Sequence, residues 1–197
     1  MKLVVGLGNP GIRYAATRHN AGFRAVERLA ERRGISLAQA RFAGRFGRGR
    51  IDGLDTGLLL PETFMNLSGE SLVEALRMLP VADPAQDLLV VLDDLDLPFG
   101  RLRLRASGGS GGHRGLEDVI ARLGTRDVPR LRVGIGRPPP ELDPVAWVLS
   151  PFDADERERL PGALDAAAEA VEIALREGVG PAMNRVNRPE GLLGSPR

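Results

Sequence analysis

The chain has 197 residues, 43% of them hydrophobic and 27% charged, ordinary values for a globular fold long enough to bury its own core. It has no cysteine, which excludes disulfides, thiolate metal sites and cysteine nucleophiles and fits a reducing cytoplasm; no apolar run approaches a membrane span and no long apolar core opens the chain. With 27 basic against 26 acidic residues the net charge is +1, so any binding to nucleic acid must come from a local patch, here of arginines because Lys2 is the sole lysine.

The first predicted element is a strand at Leu3 to Leu7, and it runs into a glycine motif, Gly6, Gly8 and Gly11 in "GLGNPG". The spacing is G-x-G-x-x-G, yet a dinucleotide turn needs its helix to begin inside the motif, with amides facing the pyrophosphate. "NPG" is instead a turn signature, and helical periodicity starts only over 20–33. The ribose-binding acid expected some 20 residues on has no candidate except Glu31, inside that helix. The dinucleotide reading fails.

Further strands are predicted around Phe46 to Ile51 and at Gly57 to Leu60, then a helix over 68–80 with Ser68 as its N-cap. The run Leu88 to Leu92 reads as a strand buried on both faces, as at the centre of a parallel sheet. Strands at Leu102 to Arg105 and Leu131 to Ile135 bracket a helix over 115–124, and a last helix covers 164–178, stopped by Gly178. "GRPPPELDP" reads as a stiff loop. Strands alternating with helices predict an α/β fold, a single domain over 1–187 with a mixed, mainly parallel twisted sheet and helices on both faces. Residues 188–197 read as a flexible C-terminal tail.

Ligands of such sheets bind beyond the carboxyl ends of the strands. The first strand leads to Asn9, Tyr14, His19 and Asn20; the third leads to Phe64 and Asn66; the buried strand ends in "DDLDLPFG", with Asp93, Asp94 and Asp96 at its mouth. Asp93 can hold one imidazole nitrogen of His19, fixing the tautomer and leaving the other nitrogen as a base. Asp94 and Asp96 are equally suited to capping turns, and the same acidic cluster resembles a metal-binding strand end of nucleotide hydrolases. The P-loop lysine of those enzymes is missing.

"ASGGSGGHRGLEDV" contains G-x-S-x-G at Gly108 to Gly112, the elbow of serine hydrolases, but the sole histidine after Ser110 is His113, too near to be an independently placed base. The plainer readings are an amide-rich rim that follows a sugar–phosphate chain, or a connector. Arg101, Arg103 and Arg105 alternate with leucines and so share a strand face, and Arg130 and Arg132 repeat the pattern. A solvated sheet face and an anion site both suit them.

Together "GLGNPG-x-x-Y-x-x-T-R-H-N-x-G", "TFMNLSG", "DDLDLPFG", "GGSGGHRGL" and "RLRVGIGRP" resemble the bacterial peptidyl-tRNA hydrolase family, in order and spacing over roughly 5–137. The resemblance implies cleavage of the ester between a peptide and the 3′-terminal ribose of tRNA, by a cytoplasmic monomer without metal or cofactor. It implies His19 as the base for water, Asp93 as its orienting acid, and Asn9 and Asn66 as groups positioning substrate or water. Tyr14, Phe64, Asn20 and His113 fall among contacts to the substrate or the tRNA end, and Arg105 and Arg132 where the family clamps the tRNA 5′-phosphate. Arg114 departs from the family's asparagine and, having no acceptor, points to a phosphate or carbonyl contact. A non-catalytic RNA-binding protein on the same fold and a serine esterase using Ser110 are the competing functions.

Overall fold

In the computed structural model, which describes residues 1–189 and 192, seven strands form one sheet in the order β2-β3-β4-β1-β5-β7-β6. They are β1 (Lys2–Gly6), β2 (Gln39–Arg41), β3 (Gly44–Ile51), β4 (Leu54–Pro61), β5 (Leu88–Asp94), β6 (Leu102–Arg105) and β7 (Arg130–Gly134). The four central strands pair in parallel. The β2–β3–β4 edge and the β6–β7 edge are antiparallel. The α/β reading therefore holds, with the parallel character concentrated in the centre.

The helices are α1 (Ala21–Arg33), α2 (Ser68–Met78), α3 (Pro84–Asp87), α4 (Arg114–Leu123), α5 (Pro144–Val148), α6 (Ala154–Glu177) and α7 (Val179–Val186). Alternation along β1 and β5 divides the core into two. Val4, Leu89 and Val91 pack under α1, α6 and α7, while Leu3, Val5, Leu88, Val90 and Leu92 pack under α2 and α4. Both faces of β5 are thus covered, as its unbroken apolar run implies. Each fully buried leucine or valine of this kind contributes about 1.5–3 kcal/mol.

The first glycine motif serves packing and turning. A Cβ at Gly6 would stand 2.6 Å from the Gly22 carbonyl oxygen, and one at Gly22 would stand 2.3 Å from the carbonyl oxygen of Val91. Backbone therefore meets backbone where α1 crosses β1 and β5, close to the site. Gly11, at φ +92°, turns the chain away from the sheet, and α1 begins ten residues later. The first turn of α1 returns to pack on the motif, where Phe23 N donates to the Leu7 carbonyl at 3.1 Å, so that amide is spent on the motif's own backbone and not on a phosphate.

Several elements differ from the sequence reading. Ser68 is the first residue of α2 and not its cap; its Oγ donates to the Met65 carbonyl at 2.8 Å. The last predicted helix starts ten residues early, at Ala154, because Asp153 and Glu156 form a capping box and Pro161 is accommodated inside the helix. Pro144, assigned to a loop, is the first residue of α5 behind the N-cap Asp143. Arg101 lies outside β6 and donates to the carbonyls of Asn187 and Pro189. Of the expected tail, Arg188, Pro189 and Leu192 are described, and Leu192 packs against the core; the remainder lies outside the described residues.

Candidate active site

One short 3₁₀ turn, Arg18–Asn20, sends three consecutive side chains to three different anchors. His19 Nδ1 lies 2.8 Å from Asp93 Oδ1, at the carboxyl end of β5. Asn20 is 3% exposed, and its Oδ1 accepts from Asn9 N at 2.8 Å while its Nδ2 donates to Asn9 O at 3.0 Å. Arg18 points away, into the base of α5 and α6.

The second glycine loop brings in a third member. His113 caps α4, its Nδ1 accepting from Leu116 N at 3.2 Å. That nitrogen therefore carries the lone pair, so the proton sits on Nε2, which donates to the same Asp93 Oδ1 at 3.0 Å. Asp93 receives two imidazole N–H groups, and the rings lie 4.9 Å apart. Burial opposes the charge on Asp93, but the two imidazoles and their hydrogen bonds outweigh it and hold the carboxyl below the usual carboxylate range. His19 is left with Nε2 facing the cavity as its available lone pair.

His19, Asp93 and His113 are also spaced as a metal triad, with ligand atoms within 4.8 Å of one another. The donor chemistry argues against that use. A metal would need the Nε2 lone pair of His113, and freeing it would place a proton on Nδ1, facing the N–H of Leu116. Asp94 and Asp96 do not join the cluster: Asp94 accepts from Asp96 N and pairs with Arg132 at 3.0 Å, and Asp96 pairs with Arg137.

Asn9, Tyr14, Phe64, Asn66, His113 and Arg114 line one cavity of about 380 Å³ with the His19–Asp93 pair. The Asn9 side chain is oriented, since its Oδ1 accepts from Met65 N at 2.9 Å, and its Nδ2 has no partner among the described residues. Phe64 is 58% exposed at the rim, and Arg114 opens α4 with no ion pair among the described residues. Asn20, expected among the substrate contacts, does not line this cavity, and both of its amide atoms are engaged by the main chain of Asn9, which does line it.

Register places Arg105 opposite Arg130 and Arg103 opposite Arg132, so the four arginines share a face. They are not equivalent. Arg132 is pinned to Asp94 and to the Ser110 carbonyl, and Arg130 is buried under Gly108, whereas Arg105 is exposed and unpaired among the described residues. The serine-esterase reading loses its base here, because both ring nitrogens of His113 are engaged and, among the described residues, Ser110 Oγ accepts only from Gly112 N. What the sequence reading missed is the apolar wall of Val145, Val148 and Leu149 on α5 and just beyond it. The signal was present in Asp143-Pro144, an N-cap followed by a first-turn proline.

A buried acid that holds an imidazole at the carboxyl edge of a parallel sheet, beside an open cavity ringed by amide side chains, is the arrangement of a hydrolytic enzyme of the α/β class. The peptidyl-tRNA hydrolase family profile matches residues 3–192. The peptidyl-tRNA hydrolase of Chloroflexus aggregans is 51% identical over 187 residues, 95% of this chain and 99% of its own. That of Symbiobacterium thermophilum is 52% identical over 188 residues, covering 94% and 98%. The crystal structure of peptidyl-tRNA hydrolase from Acinetobacter baumannii superposes with a TM-score of 0.85 at 43% identity, covering 93% of each chain. The chain belongs to the peptidyl-tRNA hydrolase family.

Proposed function

We propose that this chain hydrolyses peptidyl-tRNA by activating water on His19. The activity follows from family membership, which makes the chain a hydrolase of the ester between peptide and tRNA. The roles of individual groups are our reading of the geometry. Asp93, 2.8 Å from His19 Nδ1, keeps the proton on that nitrogen, so that Nε2 takes a proton from water as its oxygen attacks the ester carbonyl carbon. The tetrahedral oxyanion then collapses, the bond to the ribose oxygen breaks, and the imidazolium returns the proton to that oxygen. Asp93 stabilises the imidazolium in between.

Asn9 Nδ2, oriented by the Met65 bond, donates to a substrate carbonyl or to the oxyanion, and Asn66 on the neighbouring turn positions water or substrate. Tyr14, Phe64 and Arg114 meet the tRNA end, and Arg105 with Arg132 meets its 5′-phosphate. A cytoplasmic location fits the family's action on peptidyl-tRNA, and a monomer suffices for it, because the proposed roles need no group from a second copy. Ester cleavage of this kind calls for no cofactor. The observation that carries the reading is the His19–Asp93–His113 arrangement, which leaves one oriented base in the cavity and argues against a purely RNA-binding role. The experiment is release of peptide from purified peptidyl-tRNA. His19→Ala should lose at least about 10²-fold in kcat while still binding tRNA, and near-wild-type turnover would remove His19 from the mechanism.

A further inference from the structure

Arg18 precedes His19 on one turn yet faces the opposite way. Its guanidinium is 2% exposed and sits between three segments. Nη1 donates to Ser150 Oγ at 2.7 Å and to the Pro151 carbonyl. Nη2 donates to Glu156, whose carboxylate also closes the capping box of α6. The guanidinium carbon lies 3.6 Å from the centre of the Trp147 ring. The main chain adds a bond from Arg18 N to Ser150 O at 3.0 Å and a bridge between Thr17 and Pro151. Nε alone has no partner among the described residues.

Next to this arginine stands α5, which is five residues long and has no buried residue. A helix so short has no stability of its own. It nevertheless supplies Pro144, Val145 and Val148 to the cavity wall, continued by Leu149. Besides the cap at Asp143 and the packing of Val148 against the core, it is seated by Trp147, whose Nε1 donates to the Gly136 carbonyl at 2.9 Å and whose ring lies on Arg18. A planar guanidinium stacks on the indole and donates in its own plane to several oxygens at once; an ammonium cannot do both.

We propose that Arg18 is a positioning residue for the reaction, seating the apolar α5 wall at a set place relative to His19 so that bound substrate meets wall and base together. The assignment rests on the function proposed above. His19 and Arg18 leave the same turn in opposite directions, one to the base and one to the wall, so the turn ties their separation to two residues of backbone. Without the guanidinium the wall keeps the Trp147–Gly136 bond and the main-chain ties at Ser150 and Pro151 but loses the stack that fixes the indole, and the substrate must complete its ordering on binding. The cost then falls on binding and not on the chemical step.

Arg18→Lys keeps a charge for Glu156 and loses the stack. Trp147 is the single tryptophan, so its emission reads the seat directly. The variant should show red-shifted emission, a KM for peptidyl-tRNA raised about tenfold, kcat within about threefold of wild type and an unchanged pH profile of kcat. A folded variant with wild-type KM would overturn the proposal, as would a fall in kcat at constant KM. Should Arg18→Lys not fold, Trp147→Leu leaves Glu156, Ser150 and Pro151 to hold the guanidinium and must give the same change confined to KM; an unaltered KM overturns the proposal. Titration with a non-hydrolysable amide analogue of a peptidyl-adenosine ester separates this proposal from the function itself. Weaker binding to the variant than to wild type supports the positioning role, and equal binding defeats it, whether or not the wild type releases peptide.

Discussion

Asn20 holds Asn9 by both of its main-chain polar atoms, accepting from its N–H at 2.8 Å and donating to its carbonyl at 3.0 Å. Because Asn9 Oδ1 is bound in turn by Met65 N, the turn carrying His19, the first loop and the Asn66 turn form one connected support. Asn20→Ala should leave both Asn9 groups unpaired in a buried setting, at a cost of about 1–3 kcal/mol. Thermal denaturation measures that loss, and kcat/KM should fall with it. A destabilised variant with unaltered kcat/KM would mean that Asn9 takes no part in the site.

Asp93 links the proposed catalysis to acid stability. Its carboxyl is held below the usual range in the fold, so it takes a proton less readily there than in the unfolded chain. The stabilisation is therefore present above the unfolded value, about 3.9, and is lost as pH falls below it toward the folded value. The stability gap between wild type and Asp93→Asn, from urea unfolding, should narrow from about pH 4 downward. A gap that widens on acidification would contradict the pairing. Turnover of Asp93→Asn should fall by less than that of His19→Ala, since the base remains but its tautomer is no longer held.

Arg114, where the resemblance read from the sequence leads one to expect asparagine, lies in the first turn of α4 on the cavity rim. A cation there gains nothing from the helix dipole, which fits a role toward an external anion. Arg114→Asn should keep kcat and raise KM, with the log–log salt slope reduced by somewhat under one unit. A large fall in kcat with KM and slope unchanged would put Arg114 in the transition state instead.

Arg105 and Arg132 were expected to act alike, but Arg132 is engaged by Asp94 at 3.0 Å and Arg105 is exposed. Arg105→Glu should therefore raise KM and lower the salt slope by about one unit without a loss of stability. Arg132→Gln should in addition release Asp94 and the Ser110 carbonyl, lowering the melting temperature. Equal thermal effects from the two changes would show that the Asp94 pair contributes nothing.

Six of the seven strands, the sheet's α/β class and the positions of Asn9, His19, Asn66 and Asp93 at or beyond strand ends were legible in the chain, because hydrophobic periodicity and glycine turns are local properties; β2 was not, since its three residues are all exposed and carry no apolar pattern. The capping box at Asp153 and Glu156 and the Asp143-Pro144 start of α5 were local too, but interior Pro161 and the proline-rich approach to α5 concealed them. The partners of the polar side chains were not legible. Asn20 turned inward to Asn9, His113 became the second donor to Asp93, and Arg132 was taken by Asp94. Each pair joins residues 11 to 38 positions apart, and a long or forked polar side chain finds its partner only when packing has brought the strand ends and turns together. Local sequence determines which elements form and where the reactive groups stand along them; burial, which obliges each polar group to be satisfied, decides which of those groups remain free to meet a substrate.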